Sequence, residues 1–330
     1  MRKLAMFRGL YLGDLVAATG ALRALHRGHP GAEITLVSLP WATALAPHLL
    51  PYVDRVLPYP GAPGLDGGSD ERNLEEFLAQ VRAERFDLAV NMHGKGPTST
   101  RLVGRFGARR TASFVAEGND VPNFDVEVPW DAETHESRKL LLLAEKVGGV
   151  IGNALDDAEP ELRVRDEDDR RARALLPAAP RKPLALVHPG ASVTEKRWPT
   201  EGFGRVAQAL TWRGYAAAVT GNVREKELTQ RVAVPGSLDL GGKTDLSTLI
   251  ALVSRASVVV SNDTGPAHLA YALKTPSVTI FGPSTEIERW GPLDRGRHVV
   301  LRGGPISEVS VEDILRSVET LAAERELLGA

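Results

Sequence analysis

The 330-residue chain contains no cysteine, which excludes disulfides and thiolate metal sites alike. No apolar run approaches the roughly 18 residues of a membrane span. Met1 to Phe7 is followed by Arg8 rather than by the long apolar core of a signal peptide. A net charge of −2 gives no general affinity for nucleic acid or for strongly anionic surfaces. No Gly-x-Gly-x-x-Gly follows the first apolar run, which argues against a dehydrogenase. No His/Asp/Glu cluster has metal-ligand spacing, so no metal is expected. These absences point to a cytoplasmic protein without a nucleic-acid partner, and peripheral contact with the inner membrane is compatible with them.

Hydrophobic residues make up 43% of the chain, enough for a sizeable core, and the length points to two domains. Leu4–Phe7, Glu33–Leu39, Tyr52–Leu57 and Phe86–Asn91 are predicted strands. Between them, 14–27, Arg72–Arg85, Thr98–Phe106 and Glu136–Val147 carry apolar residues at three- and four-residue steps, which is helical spacing. Pro58–Ser69 and Phe114–Glu133 are expected to be irregular. Asp166–Leu175 is a charged helix, and the proline-bearing 176–183 follows it as an interdomain connection. The pattern then restarts with a strand at 184–187 and ends in an amphipathic helix over Val311–Leu328. Strands alternating with helices imply α/β domains with parallel sheets. The expected division is 1–165, a linker at 166–183, 184–310, and a final helix 311–330 that crosses back to the first domain.

Ser261-Asn262-Asp263-Thr264-Gly265-Pro266-Ala267-His268 follows the strand-like run Ser257–Val260 and opens a helical pattern. Its simplest reading is a helix cap, since Asp and Thr cap well and proline is tolerated in a first turn. The same geometry exposes backbone N–H groups at the positive end of a helix, where an anion can bind. In open α/β sheets ligands bind beyond the carboxyl ends of the strands. The polar stretches 8–14, 93–96, 188–196, 220–225, 262–268 and 282–285 all lie there, and two such domains facing each other would form a cleft.

Arg8-x-x-x-Leu12-Gly13-Asp14, Lys196-x-Trp198-Pro199, Asn262-Asp263-x-Gly265-Pro266-x-His268 and Ser277–Ser284 stand in one order along the chain. In that combination the sequence resembles glycosyltransferase family 9, the ADP-heptose:lipopolysaccharide heptosyltransferases and their relatives. The resemblance covers the whole chain. It implies a GT-B fold of two Rossmann-like domains, the first receiving the acceptor and the second a nucleotide-diphosphate sugar. It implies an inverting, metal-independent enzyme without a cofactor, moving a heptose or related sugar, from ADP-heptose above all, to a glycan or lipopolysaccharide-type acceptor.

From spacing alone Asp14 is a helix N-cap. The resemblance makes it the general base that takes the acceptor hydroxyl's proton, a role that typically contributes about 10²–10⁴-fold. A lone loop lysine is ordinarily solvated, yet the family's matching lysine contacts the diphosphate, so Lys196 is expected to offset leaving-group charge. Ser192, Thr194, Thr264 and Gly265 would add donors to the same phosphates, and Asp263 would orient the sugar or the loop. Glu225, with Glu227 as its rival, would hold ribose hydroxyls. His268 is either a donor contact or a satisfied structural histidine, and Trp198 is expected to pack. Arg8, Gly13, His93 and Lys95 are candidate acceptor-binding residues, although polar strand ends are common. A GT-B-fold sugar-nucleotide epimerase and a non-catalytic nucleotide-sugar binding protein are the alternatives. Tyr11, where the family has small residues, and the unmatched 114–133 leave the acceptor open.

Overall fold

A computed structural model describes the chain except residues 66–67, 69, 117, 119–122, 178–181 and 330 and the side chains of 325–329. Parts of the two expected irregular stretches and of the expected connection therefore lie outside the described residues. The chain divides into two compact units, Met1–Pro160 and Glu161–Ala330. No described helix is long and apolar enough to cross a membrane.

The first unit contains strands β1 (Lys3–Phe7), β2 (Glu33–Ser38), β3 (Arg55–Pro58), β4 (Leu88–Asn91), β5 (Arg110–Val115) and β6 (Val126–Pro129). Its helices are α1 (Leu12–Ala17), α2 (Thr19–Gly28), α3 (Glu71–Ala83), α4 (Pro97–Gly104), α5 (Glu136–Lys146) and α6 (Ala154–Ala158). The second unit begins with helix α7 (Asp166–Ala174). Its strands are β7 (Leu184–His188), β8 (Ala216–Val219), β9 (Leu238–Asp239), β10 (Val258–Asn262), β11 (Ser277–Phe281) and β12 (His298–Arg302). Its remaining helices are α8 (Thr200–Trp212), α9 (Lys226–Val232), α10 (Leu246–Arg255), α11 (Gly265–Ala272), α12 (Ile287–Trp290) and α13 (Val311–Gly329).

Both sheets are parallel throughout, ordered β3-β2-β1-β4-β5-β6 and β12-β11-β10-β7-β8-β9. Numbered within its own unit, each has the doubly wound order 3-2-1-4-5-6. The strand order reverses between β1 and β4 and again between β7 and β10, where such sheets bind ligands. The central strands are buried end to end because helices cover both faces, and their β-branched runs suit that environment. Register levels the strand ends. Phe7 pairs with Asn91, and Ser261 with His188, so the loops that carry the candidate residues start side by side.

Four expectations change. The helix expected over 14–27 is two helices, the first beginning at Leu12, and the Thr19 hydroxyl donates to the Val16 carbonyl (2.7 Å) where they part. The stretch 114–133 includes edge strand β6, whose four residues are too few to show a period. α7, expected in the linker, packs along α10, and Arg255 holds Asp169 at 2.7 Å. Finally, α13 buries Ile314, Val318 and Leu321 in the second unit's own core beside Phe203 and Leu210.

Candidate functional site

In the first unit the site grows from Arg8, the residue after β1. Its side chain is completely buried, although arginine is seldom so placed unless paired. Nε donates to the Asp14 carbonyl (2.7 Å) and Nη1 to the Met92 carbonyl. Nη2 lies 3.4 Å from Asp14 Oδ1 and 3.1 Å from Glu136 Oε1. Arg8 is thus directed inward, its donors shared among Asp14, Met92 and Glu136. Asp14 occupies the third position of α1, not the cap, and its Oδ2 accepts the N–H of the capping residue Tyr11 (3.3 Å). Its side chain keeps 19% of its surface exposed, so one edge of the carboxylate remains accessible. Gly13 is half-buried beside it, and Tyr11 is exposed.

The loop after β4 adds His93, which stacks on Phe7 with ring centroids 5.2 Å apart. Burial and the positive charge of Arg8 push its pKa down to about 4. The Gly9 N–H points at Nδ1 (3.3 Å), which requires that nitrogen to be unprotonated. His93 is therefore a neutral ring at pH 7, with its hydrogen on Nε2. Asn91 shapes this loop by accepting from the His93 N–H (3.1 Å) and donating to the Gly94 carbonyl (3.1 Å). Lys95 is exposed, with Nζ 5.8 Å from the Trp130 ring centre. Lys139 lies over the same ring at 4.0 Å and pairs with Glu136 Oε2 at 3.3 Å.

In the second unit the centre is Asp263, after β10. Its Oδ2 accepts from Lys196 Nζ (2.6 Å) and the Thr285 hydroxyl (3.2 Å), while His268 Nε2 stands 3.8 Å from Oδ1. The loop is shaped from beneath by buried Asn262. Its Oδ1 accepts the Trp198 N–H (3.0 Å), and its Nδ2 donates to the Pro189 carbonyl (2.9 Å). Trp198 packs as expected, its indole N–H donating to the Val309 carbonyl (2.9 Å) and its ring meeting Phe203 edge-on. Thr264 is the N-cap of α11 and makes no side-chain cap, so its hydroxyl is not spent on the helix. The Gly265 N–H, at the first helical position, has no intrahelical acceptor, and Pro266 has no N–H to satisfy. Ser192 and Thr194 are exposed on the loop that leads to Lys196.

Glu225 forms a separate corner. Its Oε2 accepts the Asn222 N–H (2.8 Å), while Glu227 is exposed. A Cβ on Gly190 would collide with Glu225 Oε1 and come within 2.9 Å of His188 Nε2, so the backbone passes close to both side chains. Burial lowers the His188 pKa, with Glu225 acting in the opposite direction. Among the described residues, no group of three His, Asp or Glu is arranged to hold a metal ion.

The sequence model of glycosyltransferase family 9 (heptosyltransferase) matches residues 75–316. The chain belongs to glycosyltransferase family 9. It is 25% identical over 289 residues to lipopolysaccharide heptosyltransferase 2 of Escherichia coli K12, covering 83% of this chain and 81% of that one. The solved structure of E. coli ADP-heptose LPS heptosyltransferase II superposes with a TM-score of 0.80 at 20% identity, covering 99% of this chain and all of that one. E. coli heptosyltransferase WaaC with ADP-2-deoxy-2-fluoro heptose gives 0.74 at 18% identity, covering 96% and 99%. The fold is GT-B, and this family 9 member is a glycosyltransferase.

No role for Glu136 or Asn262 came from the sequence, although Asn262 stands in the family motif. Glu136 opens a helix and has the pattern of an ordinary first-turn acid; no local signal shows that it turns in to Arg8. Asn262 did leave a trace, as the polar residue that ends an otherwise β-branched strand.

Proposed function

We propose that this glycosyltransferase moves a heptose, or a closely related sugar, from a nucleotide-diphosphate donor to a lipopolysaccharide-type acceptor in the cytoplasm, in one inverting step without a metal ion. The observation that carries this reading is the Asp14 carboxylate, held by Arg8 and Tyr11 yet open on one edge. Asp14 accepts the proton of the acceptor hydroxyl as that oxygen bonds to the anomeric carbon. The bond from that carbon to the diphosphate oxygen breaks with its electron pair, and the nucleoside diphosphate leaves. Diphosphate is already a good leaving group, so no second carboxylate is needed.

The second unit supports the donor half of this reading. Lys196, the Thr264 hydroxyl and the Gly265 N–H face charge that grows on the leaving phosphate. Lys196 then exchanges part of its contact with Asp263 for phosphate, and Asp263 turns to sugar hydroxyls. Glu225 accepts from the ribose. In the first unit Lys95 and the edge of Trp130 suit an anionic, saccharide acceptor, and His93 offers its Nε2–H as a neutral donor.

The test pairs a thermal-shift panel of ADP-, GDP- and UDP-sugars with transfer from ADP-heptose to a heptose-deficient lipopolysaccharide core, read by mass spectrometry. A mass gain of one heptose, lost in Asp14→Asn while ADP-heptose still stabilises the variant, is the expected result. Normal turnover by Asp14→Asn would remove Asp14 from the role of base.

A further inference from the structure

The proposed reaction makes no use of Glu136, yet its carboxylate is buried within the first unit, with 3% of the side chain exposed. It opens α5, where the N-cap His135 accepts the Ser137 N–H (3.2 Å). One nitrogen of Arg8, Nη2, stands between Glu136 Oε1 at 3.1 Å and Asp14 Oδ1 at 3.4 Å. The two carboxylates share one cation, and the nearer and more deeply buried partner is Glu136.

A wholly buried guanidinium is poorly screened by solvent. If Asp14 were its only carboxylate partner, Arg8 would draw Asp14 inward and hold it strongly in the ionised form, making it a weaker proton acceptor. Glu136 divides that attraction. Among the described residues, the titratable neighbours of the pair include Tyr11, whose N–H donates to Asp14, and His135, the N-cap of α5. The loop after β4 contributes neutral His93 and exposed Lys95, and Asp14 is the charged residue of α1. α5 contributes Lys139, already paired with Glu136 Oε2 at 3.3 Å, while Arg138 is exposed. Asp131, ahead of α5, is exposed, accepts the Thr134 hydroxyl and feels the charge of Lys139.

We propose that Glu136 is a positioning residue for the proton acceptor: by sharing Arg8, it keeps the Asp14 carboxylate at the mouth of the site and basic enough to take the hydroxyl proton. This rests on Asp14 as the base, and the test separates the two ideas. Glu136→Gln preserves shape and removes the charge. With ADP-heptose and the heptose-deficient core, kcat should fall about tenfold while the donor KM stays unchanged, and the acid limb of the kcat–pH profile should move down by about one pH unit.

A readout independent of turnover is the carboxyl carbon resonance of Asp14, assigned in 13C-labelled protein by its absence in Asp14→Asn. Its titration midpoint should also move to lower pH in Glu136→Gln. The double variant Glu136→Gln/Lys139→Met leaves the cluster's net charge as in the wild type. It should show a smaller shift of the same sign, and it serves if the single variant does not fold. An unmoved resonance and an unmoved acid limb, with Asp14→Asn inactive, would overturn the role of Glu136 and leave the base in place. Normal turnover by Asp14→Asn would overturn both.

Discussion

The two units share a strand order and a switch point but use them differently. In the first, the residue after the central strand is an arginine whose donors go to protein: Asp14, Met92 and Glu136. In the second, the switch point is occupied by Asp263, which follows the other strand bordering it, β10, with a part-exposed Lys196 on its carboxylate and an uncapped helix N-terminus beside it. The first arrangement is closed and fixes a carboxylate; the second can open, because a lysine on a flexible stem can exchange one anion for another. The same topology therefore supports two kinds of site, and what distinguishes them is whether the cation at the switch point is buried.

In the proposed mechanism chemistry falls to the first unit and donor capture to the second, so substitutions should separate the two. The largest effect is expected from Asp14→Asn, with transfer reduced about 10²–10⁴-fold and donor affinity by calorimetry unchanged. A large loss of donor affinity would break the comparison. Lys196→Ala should reduce kcat by about 10²–10³-fold, as expected when a charge is removed from a developing anion. It should also weaken donor binding, which Asp14→Asn does not. Glu225→Gln should weaken the donor about tenfold or more through loss of charge-assisted hydrogen bonds. Glu227→Gln, altering an exposed side chain, should leave donor affinity at the wild-type value and so sharpen the assignment.

The smallest effect concerns pH and reaches both units. Burial and Arg8 depress the His93 pKa to about 4, and burial depresses His298 to about 4. A histidine with a lowered folded-state pKa binds more protons when unfolded. Its stabilising contribution is therefore present above pH 6.5 and is lost as pH falls toward 4. Each should add up to about 1.4 kcal/mol per pH unit to the fall in stability over that window. Urea denaturation at pH 7 and pH 5 checks this, and His93→Gln and His298→Gln should each flatten the slope.

Much of the second unit's candidate site was legible in the sequence because its parts are local. Asp263, Thr264, Gly265 and His268 lie within six residues of one another, and a strand followed by a first-turn proline announces the helix terminus that holds them. Trp198 was legible too, as a large apolar residue beside a helix start. The first unit was less so. Asp14 was placed at a cap because a glycine precedes it, whereas α1 starts two residues earlier and the aspartate folds back on Tyr11. Arg8 was a candidate for an anionic acceptor because it is a cation at a strand end, and no local pattern shows that its side chain is buried against Asp14 and Glu136.

The chain's own pattern determined the two α/β units, the positions of the central strands and the family to which the chain belongs. Period and turn chemistry act over a few residues and leave a mark in the sequence. Only the tertiary structure decided that Arg8 is shared by Asp14 and Glu136, that β6 extends the first sheet, and that α7 and α13 pack on the second unit. Those outcomes depend on which distant segments the sheet register and helix packing bring together, and an ion pair between residues far apart leaves no periodic trace in the chain.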